Sequence, residues 1–239
     1  MNRCLIFDAD DTLWENNIYF ERAIEEFLEL MKPIAADAAP IRETLRQVEK
    51  ELIPVGGYGS RNFIYALKET CCRILRSSDG ARYLRGIERI GERLLNHPLD
   101  LRPGVAGTLP LLQQHYRLMM FSKGDLQEQS GKLQRSGLRR YFDRVIIVPE
   151  KDTPAYHSLV RQHELAPEKT FMIGNSPRSD VLPALAAGLW AVFIPHRYTW
   201  EREEGRVDPH HRLIVTQTFS ELPQVLSAVS VRTDALRQE

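Results

Sequence analysis

The sequence lacks the features that mark several common classes of protein. Its 239 residues carry 32 Lys and Arg against 32 Asp and Glu, so there is no surplus of positive charge to neutralise phosphates. We therefore expect that nucleic acid is not a partner. The longest apolar stretch, residues 182–195, is interrupted by Pro183 and Gly188 and is shorter than the roughly 18 residues of a membrane span. No membrane partner is expected either.

Cysteine is also scarce, with only Cys4, Cys71 and Cys72 in the whole chain. The number is odd, the spacing to histidine is not that of a metal site, and neighbouring cysteines rarely pair with each other. The apolar run at residues 4–7 is too short for the core of a secretory signal. We expect reduced thiols in a cytoplasmic protein.

What the sequence does contain is typical of a folded α/β domain. Hydrophobic residues make up 43% and charged residues 27% of the chain, which is an ordinary globular composition. Short β-rich apolar runs alternate with stretches of helical periodicity, and these runs cover residues 4–7, 117–121, 145–148, 170–173 and 190–194. Apolar runs of this length suit strands buried on both faces, and strands alternating with helices predict a parallel sheet flanked by helices.

One long region interrupts this alternation. Residues 15–99 contain no convincing strand, and their helical periodicity is clearest at residues 19–30, 41–52, 62–75 and 81–95. A crossover between parallel strands needs a single helix, so the region is larger than a connection requires. We predict an inserted helical domain at 15–99 and a core domain formed by 1–14 and 100–239.

Several predicted helices begin close to the ends of predicted strands. Asp125 stands three residues before Glu128, which is the spacing of a capping box. Thr153 and Ser176 are each followed by proline, which predicts a capping hydroxyl before a first-turn proline. Since open α/β sheets bind ligands at the carboxyl ends of their strands, we expect the chemistry of the protein at these junctions.

The first predicted strand leads directly into an acidic segment. Asp8 and Asp10 are two residues apart, so on an extended chain their side chains point the same way. Two adjacent carboxylates repel each other unless a cation joins them or one keeps a proton. The pair could therefore supply a nucleophile or metal ligand together with a general acid and base. An acidic turn on the surface is the alternative for this segment taken alone.

Polar residues also follow the next three strands. Ser122 ends the second strand just before a capped helix, where its hydroxyl and the backbone amides could face an anion. Lys151 follows the third strand and could provide a positive charge, although a solvated loop lysine is the simpler interpretation. Asn175 and Asp180 follow the fourth strand at a helix start, where capping alone could explain a carboxylate.

The order and placement of these residues resemble the haloacid dehalogenase superfamily, in its phosphatase branch. The D-x-D-x-T motif of the family is matched by residues 8–12, its Ser/Thr motif by Ser122 and its lysine motif by Lys151. Its acidic fourth motif is matched by residues 174–180. The resemblance covers the whole predicted core and implies a Rossmann-like sheet, and the helical insert falls where this family places a type 1 cap.

The resemblance implies a role for each matched residue. Asp8 would be the nucleophile that forms an aspartyl-phosphate, and Asp10 would protonate the leaving oxygen and then activate water. Ser122 and Lys151 would hold the oxygens of the transferring phosphoryl group. Lys123, next to Ser122, is a further candidate for substrate binding.

The same resemblance implies a Mg²⁺ cofactor. The ion would be held by oxygen ligands from Asp8, from the backbone carbonyl of Asp10, and from Asn175 or Asp180. Many members of the family have an aspartate at the position of Asn175. An amide oxygen can bind Mg²⁺ but brings no charge, so the substitution favours an alternative, a catalytically weak or inactive phosphate-binding or interaction protein with the same fold.

The expected substrate is a small phosphorylated metabolite, since a helical cap closes over the site and excludes large partners. Within the insert, the glycine-rich segment 56–62 is the best candidate to reach the core, which makes Tyr58 and Arg61 candidate substrate contacts. Dehalogenation is disfavoured because a halide leaving group needs no acid at Asp10. A phosphonatase would be expected to use a lysine of the cap, and the lysines of the insert are more simply explained as solvated. The sequence carries no signal for an oligomeric state.

Overall fold

The computed structural model describes residues 3–35, 37–75 and 80–235, and the chain divides into two compact units. One unit comprises Met1–Glu15 and Leu99–Glu239, and the other comprises Asn16–Pro98. We call them the sheet-containing unit and the helical unit. Both Glu15 and Leu99, which the sequence had suggested for the insert, belong to the sheet-containing unit. The outer ends of the predicted core, residues 1–2 and 236–239, lie outside the described residues.

The sheet-containing unit is built on a parallel sheet. Its strands in the described part of the chain are β1 (Cys4–Phe7), β2 (Arg117–Lys123), β3 (Arg144–Val148), β4 (Thr170–Gly174), β5 (Trp190–Phe193) and β6 (Leu213–Val215). They pair in the order β3-β2-β1-β4-β5-β6, with every neighbouring pair parallel. This confirms the predicted Rossmann-like α/β fold. The last strand, β6, was not predicted, since three residues are too few to show a periodicity.

The helical unit has its own apolar core. It contains α1 (Asn17–Met31), α2 (Ala38–Gly56), α3 (Ser60–Ile74) and α4 (Gly80–Leu95). Apolar side chains of these helices pack together in its centre, among them Phe27, Met31, Val48, Leu67 and Ile87. The helical periodicities within the insert are thereby confirmed. Between α2 and α3 the chain turns at Gly57 and Gly59, whose φ angles of +73° and +132° are open to glycine and strained for other residues.

The helices of the sheet-containing unit cover both faces of the sheet. They are α5 (Val105–Gln113), α6 (Leu126–Arg135), α7 (Thr153–Gln162), α8 (Leu182–Ala186) and α9 (Leu222–Ala235). In β1, Leu5 and Phe7 pack into a cluster that also contains residues of α5 and α9. Cys4 and Ile6 point to the other face and pack with residues of α7 and α8. Burial on both faces explains why the strands are continuous apolar runs.

The predicted helix starts are partly correct. The Asp125 carboxylate accepts a hydrogen bond from a first-turn amide of α6 at 2.8 Å, as expected for a cap. The Ser176 hydroxyl likewise accepts from an amide of the π-helical turn Pro177–Val181 at 2.9 Å. Thr153 was the wrong choice, because the cap of α7 is the preceding Asp152. Its carboxylate accepts a first-turn amide at 2.9 Å and adds a negative charge that the helix dipole favours.

Across residues 3–35, 37–75 and 80–235, none of the helices combines the length and the apolar character that crossing a bilayer requires. All three cysteines are free thiols, with Cys4 and Cys71 buried and Cys72 exposed.

Candidate active site

The candidate site lies where the strand order reverses. β1 is flanked by β2 on one side and by β4 on the other, and Phe7 at its end stands opposite Met120 and Ile173. The residues that follow these positions therefore meet at one edge of the sheet. In open α/β sheets this reversal point is where ligands bind, because the chain leaves the neighbouring strands in opposite directions and opens a crevice.

A buried lysine joins two carboxylates at this edge. The Lys151 ammonium donates to Asp8 Oδ1 at 2.7 Å and also to Asp180 Oδ1. All three residues are buried. Burial lowers the pKa of the Lys151 ammonium, but the carboxylates of Asp180 and Asp8 outweigh it and hold that pKa above its ordinary value. Lys151 is therefore charged and is the positive centre of the site.

Burial shifts the pKa of both carboxylates in the same direction. For Asp8, burial and then the negative charge of Asp180 raise the pKa to about 7, with Lys151 opposing. For Asp180, burial also raises the pKa, and Lys151 opposes it. Both Asp180 oxygens have partners, because Oδ2 accepts the backbone amide of Ser176 at 2.9 Å. Asp180 thus has a separate donor for each of its oxygens.

Thr12 connects the first and fourth motifs. Its Oγ1 lies 3.0 Å from Asp8 Oδ2 and 3.0 Å from Asn175 Oδ1. A hydroxyl has one proton to donate, so it can satisfy only one of these two acceptors at a time. Asp8 and Asn175 therefore present a pair of buried oxygens with one donor between them, and oxygen is the ligand that Mg²⁺ prefers. The oxygen atoms of Asp8 and Asn175 therefore fit the implied Mg²⁺ ion as ligands.

Asp10 is surrounded by hydrogen-bond donors. Trp14 Nε1 donates to Oδ1 at 2.7 Å, and Gln129 Nε2 donates to Oδ2 at 2.7 Å. The Lys132 ammonium contacts both oxygens, at 3.1 and 3.2 Å. Gln129 and Lys132 belong to α6, which the Asp125 cap starts just after the end of β2. The structure thus places Asp10 against a helix rather than in open solvent.

The end of β2 supplies a hydroxyl and a second lysine. Ser122 is buried, and its Oγ makes a long contact of 3.4 Å to the carbonyl of Lys123, a bond that is weak and easily exchanged. The Lys123 ammonium contacts the Ser179 hydroxyl at 3.0 Å and the carboxylate of Glu203. Phosphate binding by Ser122 and substrate binding by Lys123 both stay predictions.

Comparisons with known proteins show the family of this chain. The model of the family described as haloacid dehalogenase-like hydrolase matches residues 3–188. The chain belongs to this hydrolase family. A solved haloacid dehalogenase-like family hydrolase from Xanthomonas campestris is similar to this hydrolase over 98% of both chains, with 30% identity and a TM-score of 0.86.

Two named phosphatases are similar in sequence to the hydrolase. Glyceraldehyde 3-phosphate phosphatase of Methanothermobacter thermautotrophicus is 26% identical over 235 residues, which are 95% of this chain and 100% of that protein. N-acylneuraminate-9-phosphatase of Mus musculus is 26% identical over 143 residues, which are 55% of this chain and only 54% of that protein. The hydrolase is a phosphoric monoester hydrolase of the haloacid dehalogenase type, as its family and these relatives indicate.

The cap candidates of the hydrolase lie in the helical unit. Tyr58 is half-buried in the turn that precedes α3, and Arg61 is exposed in the first turn of α3. Their contact with substrate stays a prediction.

A second group of possible metal ligands lies in the same unit of the hydrolase. Ligand atoms of Asp11, Glu15 and His196 all lie within 4.8 Å of one another. His196 Nε2 is 3.0 Å from Glu15 Oε2, and His196 Nδ1 accepts the backbone amide of Tyr198 at 3.3 Å. Both ring nitrogens therefore have partners in the protein. The oxygens of Asp8 and Asn175 are the better match to Mg²⁺.

Several residues around the site were not selected from the sequence. Among them, Thr12, Gln129, Lys132 and Glu203 contact motif residues. Thr12 was visible as the last letter of the first motif, without a stated role. The other three are ordinary polar residues in helices and loops, and nothing in their spacing along the chain distinguishes them from solvated ones.

Proposed function

We propose that this hydrolase is a Mg²⁺-dependent phosphatase that removes phosphate from a small phosphorylated metabolite through an aspartyl-phosphate on Asp8. The observation that supports it most is the setting of Asp8. Its buried carboxylate stands at the end of the central strand, with Lys151 at 2.7 Å and Thr12 at 3.0 Å. A carboxylate fixed in this way can attack phosphorus and form a covalent intermediate, which divides one difficult hydrolysis into two easier steps.

The positive charge of Lys151 has a specific use in this reaction. An anionic nucleophile and an anionic phosphate repel each other, and a buried ammonium in contact with Asp8 reduces that repulsion. The Ser122 hydroxyl would donate to an oxygen of the transferring phosphoryl group in exchange for its long contact. Both residues would act by charge and hydrogen bonding and would form no bond to phosphorus.

Asp10 would carry the protons. In the first step it would give its proton to the leaving oxygen as the bond from phosphorus to that oxygen breaks. In the second step it would take a proton from the water that attacks the phosphorus of the aspartyl-phosphate. Inorganic phosphate and the regenerated Asp8 carboxylate are the products, and Asp10 is again protonated.

The residues proposed to hold Mg²⁺ are Asp8, the backbone carbonyl of Asp10, and Asn175. Asn175 is preferred to Asp180 because its oxygen shares one donor with Asp8, whereas both oxygens of Asp180 are engaged. When bound, the ion would neutralise charge on the phosphate oxygens. A neutral amide ligand predicts weaker metal binding than an aspartate would provide.

The substrate is proposed to be small, with the helical unit acting as the cap and with Tyr58 and Arg61 as candidate contacts. The named activities of the relatives support the inclusion of glyceraldehyde 3-phosphate and N-acylneuraminate 9-phosphate among the substrates to be tested. The three free thiols support a reducing, cytoplasmic compartment for this activity. The alternative, a binding protein without turnover, is separated from the phosphatase by the same assay.

The test is phosphate release from p-nitrophenyl phosphate and from a panel of phosphorylated metabolites, with Mg²⁺ or with EDTA. We expect turnover that requires Mg²⁺ and that is lost in Asp8→Asn. Asp143→Asn is a matched control, because Asp143 is an exposed aspartate of the same unit. Activity that survives in Asp8→Asn, or that ignores EDTA, would refute the proposal. Binding of phosphate without release would favour the alternative.

The choice of metal ligand has its own test. We expect Asn175→Asp to reach half-maximal activity at a lower Mg²⁺ concentration, because the added charge strengthens the attraction for the cation. Asp180→Asn should leave that concentration nearly unchanged while it lowers stability, since an asparagine has one acceptor oxygen for the two donors, Lys151 and the Ser176 amide, that Asp180 engages. The opposite pattern, with metal dependence altered only in Asp180→Asn, would exchange the two roles.

A further inference from the structure

The surroundings of Asp10 contain more donors than a surface carboxylate requires. Three side chains converge on it: Trp14 from the segment after β1, and Gln129 and Lys132 from α6. Gln129 and Lys132 are three residues apart, so they stand on the same face of the helix. They are separated from Asp10 by 119 and 122 positions along the chain. The contact therefore depends on the folded unit and not on local sequence.

Burial of both α6 residues is unfavourable in free energy, because each loses its contact with water. Lys132 is 2% exposed and Gln129 is 3% exposed, so an ammonium and an amide have been removed from water. The Lys132 ammonium is compensated by Asp10 and by Glu128 at 3.2 Å. Gln129 is not fully compensated, because its Oε1 has no hydrogen-bond partner among the residues that the structure describes. The amide of Gln129 thus donates to Asp10 while its own oxygen is unsatisfied among the described residues.

We infer that Gln129 and Lys132 are positioning residues, which hold the Asp10 carboxyl group in the orientation required for proton transfer to the leaving oxygen. The inference rests on the role that the proposed function gives to Asp10. A carboxyl group turns readily about its last bond, and a single donor would leave much of that freedom. Here Trp14 donates to Oδ1, Gln129 donates to Oδ2, and the Lys132 ammonium contacts both oxygens.

The position of α6 links the support of Asp10 to the proposed phosphate site. The helix begins directly after the end of β2, where Ser122 is proposed to hold the phosphoryl oxygens. One rigid element would then set the distance between the proton donor and the phosphate. Misplacement of a reacting group by about 1 Å can cost on the order of 100-fold in rate, so a loss of this support should be visible in kinetics.

The experiment compares two esters whose leaving groups differ in whether they must be protonated to depart. p-Nitrophenolate leaves without a proton, whereas an alkoxide needs one, so a defect in proton transfer affects alkyl phosphates more. We would measure kcat/KM, which reports the steps up to departure of the leaving group, for p-nitrophenyl phosphate and for the alkyl phosphate that the wild type hydrolyses fastest. The variants are Asp10→Asn as reference, Gln129→Met and Lys132→Met. Gln127→Met is the control, since Gln127 is exposed on the same helix.

We expect Asp10→Asn to lower kcat/KM for the alkyl ester by about 10²- to 10⁴-fold and for the aryl ester far less. Gln129→Met and Lys132→Met should lower kcat/KM for the alkyl ester by roughly tenfold or more, and for the aryl ester far less. Gln127→Met should leave both values unchanged. Lys132→Met removes a buried charge, so its folding is checked by circular dichroism. If it does not fold, Gln129→Met decides, because that change also removes an unsatisfied oxygen.

The outcomes separate this inference from the function on which it rests. Suppose that Asp10→Asn lowers kcat/KM mainly for the alkyl ester. If Gln129→Met and Lys132→Met then lower it equally for both esters, or not at all, the positioning role is overturned and the acid role of Asp10 stands. Equal losses in Asp10→Asn itself would refute the acid role of Asp10, and the positioning inference would fall with it.

Discussion

Removal of the Lys151 charge is the most informative perturbation of this site. The ammonium is buried between Asp8 and Asp180, and its side chain is 0% exposed against 12% and 1% for theirs. Lys151→Met keeps most of the length of the side chain and removes the charge. Two carboxylates would then be left in one buried pocket without a cation.

The expected loss of stability is large. Removal of one partner from a buried ion pair costs about 3–5 kcal/mol, because the remaining charge is uncompensated. For a unit of this size, 1 kcal/mol corresponds to about 2–4 °C, so we expect Tm to fall by roughly 10 °C. Asp8→Asn should behave in the opposite way. It leaves Lys151 and Asp180 as a pair without net charge, so it should be no less stable than the wild type near pH 8 in EDTA.

The pH dependence follows from the raised pKa of Asp8, at about 7 in the folded protein against an ordinary 3.8. Between these values the folded state keeps a proton that the unfolded state has lost. The contribution of Asp8 to the stability of the metal-free wild type therefore falls as pH rises from about 4 to about 7 and then levels off. Asp8→Asn lacks this loss, so its advantage over the wild type should grow across the same interval. A constant difference between pH 4 and pH 8 would show that Asp8 does not carry the shift.

The assay is urea unfolding in EDTA, followed by tryptophan fluorescence. All three tryptophans, Trp14, Trp190 and Trp200, belong to the sheet-containing unit, so the signal reports the unit that holds Lys151. Lys169→Met is the control, because Lys169 is a half-exposed lysine of the same unit. An unchanged midpoint for Lys151→Met, or an equal loss in Asp8→Asn, would refute the charge pairing.

Two further predictions concern residues whose substitution or modification the structure constrains. Gly174→Ala should lower stability by about 1–3 kcal/mol and reduce activity, because the new Cβ would overlap the side chain of Asp180. Thermal unfolding and turnover measure the two effects, and an unchanged Tm would contradict the prediction. Cys72 alone should react quickly with a thiol reagent in the native protein, since burial raises the pKa of Cys4 to about 12 and of Cys71 to about 11. Rapid reaction of all three thiols would contradict this.

The sheet was predictable because its strands are local patterns. β1 was placed at residues 4–7, which is where the structure has it, and β2 to β5 differ from their predicted ranges by one or two residues at an end. The capping of α7 by Asp152 instead of Thr153 shows the limit of such local reading. Both residues can cap a helix, and only the backbone angles show which of them precedes the first turn.

The order of residues along the chain was enough to show which side chains are available for chemistry and that they follow successive strands, since a parallel sheet brings its carboxyl ends to one edge. How these side chains are paired depends on the folded protein. It bonds Lys151 to both Asp8 and Asp180, leaves Asn175 with a shared donor, and buries Lys132 against a carboxylate 122 positions away. The physical reason is that a side chain's charge partners are set by neighbours in space, and strand order and helix packing bring those neighbours from distant parts of the chain.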